Sequence, residues 1–199
     1  MSKQLLEQEK DKINKWIKGG KKKKYTQLYS AASNGCDSSK FHTNCDNKGP
    51  TVSLVYNLNG SVYGGYSSVS WMSGSGESVY DGDAFLFLMT GGLKNKSCKF
   101  TIILPEYALT MNKDFGPSFG KGPDLLTFSG DVTRDTNSFH LNSVMVPDSY
   151  DISEKTINEI TSGSFDAVDV VVYAVEDVAE DIILPTPWRQ MDLPTWDSK

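Results

Sequence analysis

The chain has 199 residues, 38% hydrophobic and 11% aromatic, which suits one globular domain with or without tails and provides for a substantial core. No run approaches the roughly 18 apolar residues a membrane span needs, and MSKQLLEQEKDK lacks a signal-peptide apolar region, so the sequence reads as intracellular and cytoplasmic with no membrane span. The net charge of −5 is unevenly spread: residues 1–24 hold nine lysines against Glu7, Glu9 and Asp11, a net +6, and the other 175 residues carry −11. That asymmetry points to an interaction arm or a self-docking segment rather than to a uniformly basic surface.

Leu5, Leu6, Ile13, Trp16 and Ile17 recur at helical spacing, predicting a helix over 4–18 that Gly19-Gly20 ends, with a tetralysine following. A second helix is expected over Tyr25 to Ser33, closed by Asn34-Gly35, and a third over Ser38 to Cys45 with Asp37 as N-cap. From Thr51 the period changes. TVSLVYN alternates with Val52, Leu54 and Tyr56 inward, Leu58-Asn59-Gly60 turns, and SVYGGY returns, which is a hairpin signal.

DAFLFLM (83–89) and CKFTIIL (98–104) flank Gly91-Gly92 and read as central strands; LLTF (125–128) and SFHLNSVM (138–145) add more. In AVDVVVYAVE (167–176), Val168, Val170, Val172 and Ala174 share one face and Val171, Tyr173 and Val175 the other, the pattern of a strand covered on both sides. A short helix is expected over Ser153 to Ile160. Strands without parallel crossovers imply antiparallel sheets, hence an α+β, two-sheet β-sandwich with peripheral helices. The acidic, proline-containing residues 177–199 read as a tail or linker, after a basic segment over 1–24 and a domain over 25–176.

Cys36, Cys45 and Cys98 are an odd number without CxxC spacing, which points to reduced thiols rather than a disulfide framework or a closed zinc site. Asn59-Gly60-Ser61 and Asn95-Lys96-Ser97 fit the glycosylation pattern by chance in a chain without a secretory signal. His42, three residues before Cys45, shares its helical face, where it either packs or meets the thiol; His140 falls in a strand. Asp81-Gly82-Asp83 lacks the remaining oxygens of a calcium loop and reads as a turn. Glu77 and Glu106 have no partner carboxylate that spacing places. No catalytic set, metal or cofactor is expected, so the chain reads as a non-enzyme.

FHTNCDNKGPTVSLV, NGSVYGGYSSVSW, DAFLFLM and FGPSFGKGPDLLTF, in this order and spacing, resemble the TLDc domain, over about Tyr25 to Glu176. Within it, the preceding lysine-rich helix and the trailing Pro187-Trp188-Arg189 look most like the interferon-induced protein 44 group. The resemblance implies a two-sheet antiparallel sandwich and links to oxidation resistance, to regulation of the vacuolar proton-pumping ATPase and, in that branch, to innate antiviral defence. It also implies a downstream GTPase-like domain in the full-length protein. GTP chemistry is not assigned to these residues, because GPSFGKG (116–122) places Gly122 where a phosphate loop needs Ser or Thr. Val172 and Tyr173 stand where relatives often carry an acidic residue and a tryptophan.

The family-motif residues His42, Asp46, Asn47, Lys48, Gly49, Pro50, Gly64, Gly65, Tyr66 and Trp71 are expected to be structural. Gly64-Gly65 permits a bulge, a positive φ or a close backbone approach, and Asp46 to Pro50 forms a turn. A protein partner is expected. Lys15, Lys18, Lys21, Lys22, Lys23 and Lys24 are the nucleic-acid-binding candidates, able to contact duplex phosphates with little sequence readout; the alternative is that they dock on the acidic remainder.

Overall fold

The computed structural model describes residues 2–90 and 97–178. In chain order the elements are α1 (Glu7–Trp16), β1 (Lys23–Ser30), α2 (Ala31–Asn34), β2 (Cys36–Asp37), α3 (Ser38–Cys45), β3 (Thr51–Asn57), β4 (Val62–Ser67), β5 (Ser75–Val79), β6 (Phe85–Thr90) and β7 (Cys98–Thr101). They continue with β8 (Leu109–Asn112), β9 (Ser118–Phe119), β10 (Leu125–Leu126), β11 (Asp131–Val132), β12 (Arg134–Asp135), β13 (Ser138–His140), α4 (Ile157–Thr161) and β14 (Asp166–Asp177). Gly91-Gly92, most of the Asn95-Lys96-Ser97 pattern and residues 179–199, with Pro187-Trp188-Arg189, lie outside the described residues.

The strands form the expected antiparallel sandwich. The larger sheet runs β12-β13-β14-β3-β4-β6-β7, with β1 also paired to β14, and the smaller runs β10-β9-β8-β5. Between them lies one core cluster, in which Val55, Tyr63, Leu86 and Leu88 of the larger sheet meet Leu109, Met111, Phe119 and Leu125 of the smaller. A second cluster covers the opposite face of the larger sheet. There Leu5, Ile13 and Ile17 pack on Val52, Leu54, Tyr66, Phe85, Phe87, Val171, Tyr173 and Val175, with Trp16 beside Phe85 and Phe87. The N-terminal helix is therefore a layer of the fold, and Lys99 holds its end by donating to the Trp16 carbonyl at 2.8 Å.

Several sequence expectations are corrected. Tyr25 to Ser33 is not a helix: residues to Ser30 belong to β1, and only Ala31–Asn34 is helical. The three-four spacing of Tyr25, Leu28 and Tyr29 imitates a helix, but β14 is 12 residues long and its C-terminal half offers β1 a full ladder from Lys23↔Asp177 to Ser30↔Val171. Tertiary pairing overrides the local pattern. A register shift between Gln27 and Tyr29 produces the misleading spacing.

The first helix is shorter than 4–18, since Leu5 and Leu6 sit in extended chain before it. LLTF and SFHLNSVM supply only two- and three-residue strands. CKFTIIL stops at Thr101, after which Ile102 bridges Tyr150. The expected 153–160 helix begins later, at Ile157, where Thr156 and Glu159 form a reciprocal cap. In β14 the two-faced reading holds for Val170 and Val172 against Val171, Tyr173 and Val175, but a register shift between Ala167 and Asp169 turns Val168 onto the outer cluster.

Candidate functional site

Gly65 lies against Phe119, whose ring would be 2.6 Å from a Cβ added there, and a Cβ on Gly64 would collide with the Ser53 carbonyl of β3. Neither glycine has a positive φ. The pair exists so that β3 and a ring from the second sheet can approach β4 closely, which makes SVYGGY a packing device.

The turn motif is also structural. Asp37 caps α3 by accepting the Ser39 N–H at 2.8 Å, which sets the helix that carries His42 and Cys45. His42 is buried, with Nδ1 2.7 Å from Asp46 Oδ1 and Nε2 2.9 Å from the Asn112 carbonyl oxygen, so both ring nitrogens are taken and neither serves Cys45. Asp46 accepts the Ser73 hydroxyl on its other oxygen at 2.7 Å. The hydroxyl bonds the carboxylate and not the imidazole, so the three do not form a relay that would activate a nucleophile.

Asn47, in the left-handed region at φ 59°, donates its N–H to the Trp71 carbonyl, and Gly49 donates to Ser70 Oγ at 2.9 Å. Trp71 is fully buried and donates its indole N–H to Thr51 Oγ1 at 2.8 Å. Pro50 accepts the Val175 N–H, Tyr66 stacks on Phe85 with ring centres 5.1 Å apart, and Lys48 is exposed. The two motif stretches, 42–50 and 61–71, thus clasp each other.

The three thiols are free, Cys36 and Cys45 buried and Cys98 partly exposed. Burial pushes Cys36 up to about 12 and Cys45 higher still, and raises the half-buried Cys98 as well. Among the described residues no cluster of three or more His, Cys, Asp or Glu side chains is arranged to hold a metal. Glu77 is exposed and bonded by backbone N–H groups, its own and that of Ser75, which hold its carboxyl low; Glu106 is exposed in the short turn before β8. His140 is exposed beside Asp166, and that contact lowers the Asp166 carboxyl.

Sequence reading missed the buried Asp169 and Asp124, and read Asp81 as part of a turn, which it is, without its burial. Asp169 accepts from Ser30 Oγ and from the backbone N–H groups of Ala32 and Lys3, joining β14 to α2 and the N-terminal segment. Asp124 accepts the N–H groups of Asp148, Ser149 and Tyr150; burial raises its carboxyl and those donors hold it back. Asp81 accepts from Ser67, Ser68 and Asp83. For Asp169 the available signal was an aspartate amid VDVVV, since a carboxylate in a strand covered on both faces must find donors.

The lysines surround the junction of α1 with β1. Lys15 and Lys22 are exposed on the helix and the connecting turn, Lys21 is exposed beside them, and Lys18 sits 3.5 Å from Asp83. Lys23 pairs with Asp177, its side chain only 14% exposed, and Lys24 with Glu176 at 3.0 Å, so both lie in the β1/β14 ladder.

Among the described residues no helix is long and apolar enough to cross a membrane. No curated protein matches the chain. A family model, the TLDc domain, matches residues 1–162, so helix α1 and β1 fall inside the matched region together with both motif stretches. The chain belongs to the TLDc domain family.

Proposed function

We propose that this TLDc domain is a non-catalytic interaction module of the interferon-induced protein 44-like branch, acting through a protein partner in innate immune, antiviral or stress defence. One observation carries the reading: the side chains that TLDc-linked redox or hydrolytic chemistry would need are spent on structure. His42 is held between Asp46 and the Asn112 carbonyl, and burial raises every thiol. The family's links to oxidation resistance and the vacuolar ATPase then act through association rather than through turnover at a cysteine. Direct nucleic-acid binding by the lysines has less support, because Lys18, Lys23 and Lys24 already have carboxylate partners.

Two measurements test this. Purified protein is expected to consume hydrogen peroxide no faster than its Cys36→Ser/Cys45→Ser/Cys98→Ser variant; turnover that the triple substitution abolishes would overturn the non-catalytic reading. Cross-linked capture from interferon-treated cells is expected to recover a discrete partner. A chain that captures nothing, in treated and untreated cells alike, would overturn the interaction reading.

A further inference from the structure

Among the described residues β1 is an edge strand, paired only with β14. The alternation of that ladder fixes which of its backbone groups are left over. Val175, opposite Tyr25, gives its N–H to the Pro50 carbonyl on the β3 side, so the Tyr25↔Val175 pair exchanges no bonds and Tyr25 turns its N–H and C=O away from β14. Lys23 and Gln27 share that phase, and Lys23 confirms it by donating its N–H outward to Asn14 Oδ1 at 3.2 Å. Among the described residues nothing bonds the outward N–H or C=O of Tyr25 or Gln27.

The open stretch is short and bounded. Asn14 closes it at Lys23, and the register shift after Gln27 ends it on the other side. Within it Thr26 and Gln27 are exposed, and a cleft of about 390 Å³ lies alongside Lys23, Lys24 and Tyr25, which leaves room for a strand to approach. The charges on β1 do not choose the occupant, because Lys23 and Lys24 are already paired with Asp177 and Glu176. The positions of the free groups do. Tyr25 and Gln27 stand on either side of Thr26, so a two-fold axis at Thr26 sets Tyr25 of one copy opposite Gln27 of another, and the reverse.

We propose that β1 is a homotypic docking edge, which pairs antiparallel with β1 of a second copy of this chain about a two-fold axis at Thr26. Both residues of each Tyr25–Gln27 pair turn their N–H and C=O toward the other copy, so each pair exchanges both of its backbone bonds. Thr26 meets Thr26 at the axis as the closely spaced, non-hydrogen-bonded pair, a favourable cross-strand contact. In this register neither lysine falls opposite a lysine, and their own carboxylates offset the charge that two basic edges would otherwise bring together. The second copy arrives with its edge already ordered by β14, whereas a free peptide must give up its conformational freedom to make the same bonds. A nucleic-acid duplex brings no peptide groups to the edge at all. The contact is small, so the dimer is weak and dissociates on dilution.

Such a dimer does not depend on the reading of the domain as a module for another protein. Sedimentation velocity of the full chain from about 5 to about 500 µM is expected to show a monomer–dimer equilibrium. Gln27→Pro removes an N–H that faces away from β14, so the native ladder is kept while dimerisation weakens at least tenfold. Thr26→Lys and Thr26→Glu alter an exposed side chain, and each chain alone should be monomeric because like charges meet at the axis. Mixed in equal amounts, the two should dimerise at least as tightly as the wild type, a rescue that a misfolded variant does not give.

A chain that stays monomeric to about 500 µM overturns the proposal. A dimer that Gln27→Pro and both Thr26 substitutions leave intact also overturns it, because the contact then lies elsewhere. So does an equal mixture of the Thr26→Lys and Thr26→Glu chains that remains monomeric, which removes the two-fold axis at Thr26.

Discussion

The ring of Phe119, from the smaller sheet, rests on the backbone of Gly65, in the larger one, at the place a side chain would occupy. The close approach joins two faces of one core: Phe119 also packs edge-on against Trp71, whose indole N–H is held by Thr51. Substituting Gly65 with alanine forces ring or strand to move. Overpacking of this kind costs about 1–3 kcal/mol, so the urea midpoint of Gly65→Ala should fall with little change in slope. Gly60, in the open turn after β3, has a φ of 89° and free space where a Cβ would stand, so the same substitution there should cost less, through backbone strain alone.

Asp169 is expected to be the most sensitive carboxylate in the fold. Asp169→Ala leaves the buried Ser30 Oγ without its acceptor and removes the acceptor of the partly buried N–H groups of Ala32 and Lys3. Bonds to a charged group contribute about 1.5–3 kcal/mol each and a stranded donor costs about 1–3 kcal/mol, so a loss of about 3 kcal/mol is expected in denaturant unfolding. Asp169→Asn keeps one acceptor oxygen and should lose roughly half as much.

Helix α1 contributes to the core through Ile13, which is fully buried. Ile13→Ala should destabilise the protein by about 2–5 kcal/mol and increase binding of a hydrophobic dye, because Val52, Leu54 and Phe85 lie beneath it. An unchanged midpoint would mean that the helix is not part of the cooperative unit.

The buried thiols make stability fall at alkaline pH. Burial pushes the Cys36 thiol up to about 12 in the folded protein, well above an unfolded thiol at about 8.5. A group with a raised folded value contributes stability that is fully present below the unfolded value and lost as pH rises toward the folded one. Between about pH 8.5 and 10, before tyrosines ionise in the unfolded chain, each such thiol should remove up to about 1.4 kcal/mol per pH unit. Urea midpoints measured across that window should fall, and fall less steeply in Cys36→Ala/Cys45→Ala.

Much of this arrangement can be read in the chain, and the failures have physical causes. The apolar runs of β6 and β14 and the capped α3 follow from local pattern, whereas β3 reads as alternating and is instead buried at every position, because Val52, Leu54 and Tyr56 lie under α1 and Val55 faces the second sheet. β1 does not follow from local pattern, since its strand form comes from pairing with residues at the far end of the domain rather than from its own spacing. The short strands β9 to β13 owe their form to their neighbours. His42 and Asp46 are four residues apart, but the bonds that tie them to Ser73 and the Asn112 carbonyl, like the Asp169 staple, join distant segments, and no spacing rule places those.

If the reactive side chains of this domain serve its structure, the native thiols must be slow to react, and the rate at which Ellman's reagent labels each of them between pH 6.5 and 8.5, read per site by mass spectrometry, decides the point. Cys36 and Cys45 should react far more slowly than in guanidine, with Cys98 the fastest of the three. A native thiol reacting at pH 6.5 as fast as, or faster than, a free cysteine would reveal an activated nucleophile, and the domain would then hold chemistry as well as structure.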